Sequence, residues 1–237
     1  MKRLSPQHYL LGLLVIAPSA LASGSSIDKV YDPYVQLLEK EIEYRTRYEQ
    51  DDRDQIDGRQ RHILGYGQSL SDHLFAEIYM IGVDEAQSGF SIEDYEVELK
   101  WQLTEQGELD HDWGLLFELE KSREDDIWEA GSTLIVLREW GQWVATGNLS
   151  LIYEGGSDTK NEWETAFAGQ LRFRNSEKFE PGLEFYLSQD TQGFGPIITG
   201  LWRIGGGKKT RWETGVILGL DHDTPDVSWK LNLEYEF

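Results

Sequence analysis

From about residue 36 onward, apolar and polar residues alternate with a period of two in runs of roughly ten, separated by clusters of Gly, Asp, Asn, Ser and Pro. The clearest run is the last. Trp229, Leu231, Leu233, Tyr235 and Phe237 share one face, and Lys230, Asn232, Glu234 and Glu236 share the other. A strand keeps that sorting because its side chains point alternately to two faces, whereas a helix would mix them. The same pattern sets Tyr95, Val97, Leu99, Trp101 and Leu103 against Glu96, Glu98, Lys100 and Gln102. It sets Trp163, Phe167, Leu171 and Phe173 against Glu162, Glu164, Gln170, Arg172 and Arg174. Ile42, Tyr44 and Tyr48 oppose Glu41, Glu43, Arg45, Arg47 and Glu49, and Trp212, Val216, Leu218 and Leu220 oppose Arg211 and Glu213. Further strands fall at 59–70, 73–84, 110–121, 128–139, 142–154, 180–189 and 194–204. The run around Leu134 to Arg138 is apolar on both faces, so the pattern assigns it no register.

These runs predict an all-β protein, an antiparallel up-and-down transmembrane β-barrel of about twelve strands, with ten or fourteen if one hairpin is misread. A soluble sandwich or lipocalin-like barrel also alternates, but it turns its apolar face inward and rarely needs so many consecutive strands. Three features favour lipid. Trp and Tyr cluster near strand ends as in aromatic girdles, the polar faces carry full charges of both signs, and the chain stops on an aromatic within an alternating strand.

Ahead of the barrel, Lys2 and Arg3, the apolar stretch Leu10 to Ile16 and the small-residue site Ala20-Leu21-Ala22 predict a signal peptide over 1–22, cleaved before Ser23. The apolar stretch is shorter than the roughly 20 residues of a membrane-spanning helix. Residues 23–35, with Pro33, form a polar lead expected to be disordered or to plug the barrel on the periplasmic side, and 36–237 form the barrel. Short connections leave little room for a receptor surface or an inserted plug domain.

Composition sharpens this picture in two ways. A net charge of −21 and a mean hydropathy of −0.51 suit a soluble acidic protein, yet aromatic residues make up 12% of the chain, with nine Trp. A barrel reconciles them because its polar inner face offsets its apolar outer face. The 43 acidic residues against 22 basic ones exclude a nucleic-acid partner and favour cations in the lumen. The absence of cysteine excludes disulfides, thiolate metal sites and cysteine nucleophiles.

The closing stretch Trp229 to Phe237 resembles the C-terminal signal that bacterial outer-membrane barrels present to their assembly machinery. Leu64-Gly65-Tyr66-Gly67, followed by Ser71-Asp72-His73-Leu74, resembles a hairpin of the proteobacterial barrels grouped as putative phenol-degradation outer-membrane proteins. Glu180-Pro181-Gly182-Leu183-Glu184, Gly195-Pro196 and Leu233 to Phe237 echo the same group. The resemblance implies a barrel and suggests transport, and it brings no catalytic residues with it.

On this reading the lumen is lined by Glu41, Glu43, Arg45, Arg47, Glu96, Glu98, Lys100, Glu118, Glu120, Glu164, Arg172, Arg174, Glu184, Arg211, Glu213 and Glu234. Strands lie about 4.8 Å apart, so opposite charges on neighbours can pair. The lattice either lines a passive pathway for small polar or cationic solutes or neutralises itself in a structural or adhesion-type barrel that does not conduct. A lipid-hydrolysing enzyme is the third reading, for which His62, His73, His111 and His222 are the candidates. None has a convincing dyad or metal spacing, and no Ser stands in a nucleophile elbow. No enzymatic activity, cofactor or metal is expected. The acidic stretches 51–54, 124–126 and 221–223 fall in connections expected outside the cell, and none follows the calcium-loop pattern. Gly205-Gly206-Gly207-Lys208-Lys209 lacks the phosphate-loop spacing and reads as a turn. Outer-membrane lipid, lipopolysaccharide and the barrel assembly machinery are the expected partners, and the oligomeric state is left open.

Overall fold

The computed structural model describes residues 27–85 and 88–237, so the signal peptide and the first residues of the lead lie outside the described part. The described chain folds into twelve antiparallel strands: β1 (Lys40–Gln50), β2 (Gln60–Ser69), β3 (Leu74–Glu85), β4 (Gly89–Gln102), β5 (Asp112–Ser122), β6 (Ile127–Trp140), β7 (Trp143–Gly156), β8 (Glu162–Phe173), β9 (Glu180–Leu187), β10 (Gln192–Gly205), β11 (Lys208–Gly219) and β12 (Val227–Glu236). Each pairs with its neighbours in sequence, and β12 closes on β1 in a register running from Glu41 opposite Glu236 to Gln50 opposite Val227. Closure satisfies every edge, which an open sheet could not do in hydrocarbon. Where turns are tight, glycine supplies the backbone: β10 and β11 meet at Gly206 and Gly207, whose φ values of 64° and 84° suit the turn that matches strand twist.

The outer surface shows which solvent the apolar faces meet. Ile42, Leu64, Ile78, Val97, Leu119, Leu149 and Leu218 are all exposed there, with no layer over them among the described residues. Aromatic residues border this band at both ends. Trp101, Trp140, Trp143, Trp202 and Phe237 ring the end at which β1 begins, the near end, and Tyr48, Phe90, Trp128, Trp163 and Trp229 ring the far end. An apolar band between two aromatic belts is the surface of a barrel in a bilayer. A soluble lipocalin-like barrel would be inverted.

The ambiguous sixth strand has its register settled by what lies inside. Thr133, Ile135 and Leu137 point inward and are buried, while Leu134 on the opposite face is exposed. Ile135 is apolar yet luminal because it packs, with Leu116 of β5, against Tyr31 of the lead. Residues 27–39 run through the barrel from the far half to the near end and turn into β1 at Leu38, whose φ is 65°. The lead therefore extends to Glu39 rather than ending at residue 35. The connections are short and hold no inserted plug domain among the described residues; it is the lead that occupies the lumen.

Candidate functional site: the lumen and its lead

The interior is organised around the lead. Near its far end, Ile27 sits in an apolar pocket formed by Tyr186, Ile197 and Ile217. The Asp28 carboxylate meets Arg45 at 2.7 Å, and its carbonyl accepts hydrogen bonds from the Tyr186 hydroxyl and the Lys230 ammonium at 2.7 and 2.6 Å. Lys29 bridges Glu43 at 3.0 Å and Glu234 at 2.8 Å. Tyr31 is held at three points: its N–H donates to Asn148 Oδ1 at 2.7 Å, Asn148 Nδ2 donates back to its carbonyl at 2.9 Å, and its hydroxyl donates to Glu98 at 2.6 Å. Further along, Tyr34 donates to Asp112 at 2.6 Å and the Val35 N–H donates to Gln102 at 2.7 Å. The lead thus ends its polar groups on β1, β4, β5, β7, β9 and β12, which satisfies a strand that has no ladder of its own.

Electrostatics reinforces the docking. Burial by itself raises the Asp28 carboxyl, but Arg45, Arg61, Lys230 and Arg47 together hold it below its ordinary value. Burial likewise penalises the Lys29 ammonium, and Glu234, Glu43, Glu77 and Glu41 outweigh that penalty and raise it well above the usual range.

Around the lead, open space remains on two sides. A cavity of about 690 Å³ faces the near end and is lined by cations and carboxylates in alternation, among them Lys100, Arg172, Arg174, Lys209, Arg211, Glu180 and Glu236. A smaller one of about 160 Å³ lies in the far half against Glu96, Glu118, Glu120, Glu129 and Glu164, with Arg61 and Lys29 as its cations. Lys29 borders both.

The structure places Glu41, Glu43, Arg45 and Arg47 of β1 on the inner face, beneath the lead. Lys100, Arg172, Arg211, Glu213 and Glu234 border the near cavity; Arg174 sits at its rim, where it grips Glu139 with two bonds of 2.6 and 2.7 Å. Glu184 is fully buried and paired with Lys230 at 2.8 Å. Glu96, Glu98, Glu118, Glu120 and Glu164 belong to the far wall. There the register brings Glu96, Glu120, Glu129, Glu154 and Glu162 directly opposite one another across β4 to β8.

Several of these residues escape a reading by alternation. Asp28, Lys29 and Tyr31 lie in a segment with no periodicity, and Asn148 is chosen by a partner 117 positions away. Glu129, Glu154 and Arg61 stand on polar faces, which was the available signal.

The histidines do not converge. His62 faces outward, its Nδ1 2.8 Å from the Tyr44 hydroxyl; His73 sits in the β2–β3 connection beside Asp72 and Glu105; His111 lies against Trp113; His222 lies in the β11–β12 connection. On β12, Trp229, Leu231, Leu233, Tyr235 and Phe237 form the lipid-facing side of the closing strand, and the Phe237 N–H reaches the Lys40 carbonyl at 2.9 Å.

Against known proteins, no family model matches the chain and no curated protein sequence matches it. Solved structures do. The KdgM porin in complex with disordered oligogalacturonate superposes with a TM-score of 0.55 at 11% identity, covering 83% of this chain and 99% of its own. An outer membrane channel from Pseudomonas putida F1 gives a TM-score of 0.59 at 13% identity, covering 89% and 98%. The NanC porin gives 0.52 at 9% identity, covering 83% and 98%. The likeness is one of fold: this chain is a closed twelve-strand barrel of the architecture that outer-membrane channels adopt.

Proposed function

We propose that the protein is a passive channel of the bacterial outer membrane for small polar solutes, that it favours cations, and that residues 27–39 form its constriction. The observation that carries this reading is the pair of charge-lined cavities, of about 690 and 160 Å³, both bordered by Lys29 of the lead. The direction of selectivity rests on the far wall, where the facing glutamates have few cations to offset them. That wall disfavours polyanions such as the oligogalacturonate bound by the KdgM porin, despite the shared fold. The near end is assigned to the periplasm, the lipid-facing belt to outer-membrane lipid and lipopolysaccharide, and the β12 face to the assembly machinery.

The finer kinship with putative phenol-degradation outer-membrane proteins belongs to the same proposal. It is supported by a physical role for the shared Gly-Tyr-Gly segment. A Cβ at Gly65 would lie 2.2 Å from the Tyr79 ring, and one at Gly67 would lie 2.6 Å from the Phe75 ring, so both glycines make room for inward aromatics.

Planar-bilayer recording tests the proposal. The processed chain is expected to give small, cation-selective steps. Deletion of residues 27–36 is expected to enlarge them several-fold, Arg45→Ala to do so partially, and Arg172→Ala to change selectivity through the near cavity. A silent barrel in all four forms would leave the non-conducting structural reading, which the dense ion pairing of the lead favours.

A further inference from the structure

Two glutamate clusters in the lumen wall have been treated differently. In the first, Glu41, Glu43 and Glu77 bring carboxylate oxygens within 4.8 Å of one another, and the lead inserts Lys29 as their counter-ion, 3.0 Å from Glu43. In the second, Glu96, Glu98 and Glu118 converge just as closely. Among the described residues no Lys or Arg reaches these three within salt-bridge distance, and the nearby Arg61 instead approaches Glu120, at 3.7 Å.

Glu98 is the informative member. It is 1% exposed and stands directly opposite Glu77 on one side and Glu118 on the other. Tyr31 donates to its Oε1, which fixes the carboxylate, while its Oε2 is buried with no hydrogen-bond partner. An orphaned carboxylate oxygen among like charges is costly on two counts, lost solvation and cross-strand repulsion. Both costs are relieved by one hard cation. Three oxygens no more than 4.8 Å apart all lie within about 2.8 Å of a common centre, from which small side-chain shifts reach a calcium–oxygen distance of about 2.3–2.6 Å. The far cavity, bordered by Glu96, Glu118, Thr133 and Ser150, gives water and ion access to the same spot.

We propose that Glu96, Glu98 and Glu118 form a calcium site in the wall of the lumen. Calcium is favoured over magnesium because it accepts irregular carboxylate shells, with water completing them, whereas magnesium demands near-ideal octahedra. Because Tyr31 holds Glu98, the ion ties the lead to the wall. Binding requires no flux through the barrel, so the site stands or falls apart from the channel reading.

The test uses the full processed protein, refolded in detergent, stripped with a chelator and titrated with calcium chloride by calorimetry; terbium luminescence excited through tyrosine gives a second readout. One ion per chain is expected, with affinity weakened roughly tenfold or more by Glu98→Gln and by Glu118→Gln. Glu124→Gln in the exposed β5–β6 connection is expected to leave it unchanged. Replacing a carboxylate by an amide here removes repulsion, so the variants are expected to fold, as gel mobility before and after heating will show. Glu96→Gln, at a partly buried position, is the variant to use if the others do not. A wild type that retains no calcium, or binding that survives these substitutions, overturns the proposal.

Discussion

The two sides of the lumen solve the problem of buried charge in opposite ways. Along β9, β11 and β12, carboxylates are matched to cations: Glu234 meets Lys29 and Arg211, Glu236 meets Lys209 and Arg211, and Glu184 and Glu213 share Lys230. Across β4 to β8, glutamates face glutamates, and Arg61 to Glu120 is the ion pair that touches the row among the described residues. The first side behaves as a structural seam that closes the barrel and clasps the lead. The second keeps its negative charge available, which suits a wall past which cations move or at which they bind.

Breaking the paired side is expected to have the largest effect. Lys230→Met leaves Glu184 and Glu213 without their ammonium and removes the donor to the Asp28 carbonyl, in surroundings where Lys230 is 4% exposed. Loss of one partner from a buried pair costs about 3–5 kcal/mol. A lowered unfolding midpoint in denaturant, followed by gel mobility, checks it, and an unchanged midpoint would show the seam to be dispensable. Next comes the clasp on the lead. Asn148→Ala deletes both bonds to the Tyr31 backbone and leaves a buried N–H and C=O unmet, a cost of about 1–3 kcal/mol. Faster proteolysis of the lead, with the barrel itself intact, is the expected result.

Acid sharpens the same comparison. The folded state holds the Asp28 carboxyl below its ordinary value of 3.8, because the surrounding Arg and Lys outweigh the burial that would raise it. A depressed carboxyl stabilises fully above the unfolded value and loses that contribution as pH falls through the folded one. The Asp28 contribution to docking of the lead is therefore expected to be complete from neutral pH down to about 4 and to be lost below 3.8. In conductance recorded at successively lower pH, the Asp28 component of an acid-induced rise should lie in that range, and Asp28→Asn should remove it.

The difference between the two sides also explains what was legible in the sequence. β4 and β12 read cleanly because one face of each meets lipid and the other meets charge, so the period of two survives. β6 does not, since Ile135 and Leu137 point inward, and Ile135 packs against Tyr31. Ile197 and Ile217 break the inner polar pattern in the same way beneath Ile27. For Ile135, Ile197 and Ile217 the obscuring element is the lead, which has no periodicity and binds through contacts far apart in sequence. The luminal charges themselves were visible on the polar faces. Which charge meets which depends on register between strands, and a pattern within one strand does not encode it; Glu129 and Glu154 therefore carried no mark of facing one another.

The smallest expected effect is also the one whose sign separates the two sides. Glu129 lies directly between Glu120 and Glu154 in the row, outside the proposed calcium cluster. Directly opposed like charges destabilise a sheet by roughly 0.2–1 kcal/mol per pair, so Glu129→Gln is expected to raise stability by an amount of that order in the presence of a chelator. The amide keeps the shape and the hydrogen-bonding reach of the carboxylate, which isolates charge as the variable. Removing a charge at Lys230 should therefore weaken the barrel, while removing one at Glu129 should strengthen it. A fall in the unfolding midpoint of Glu129→Gln would mean that the row is already neutralised in the folded state, and the contrast between a stitched side and an uncompensated side would be lost.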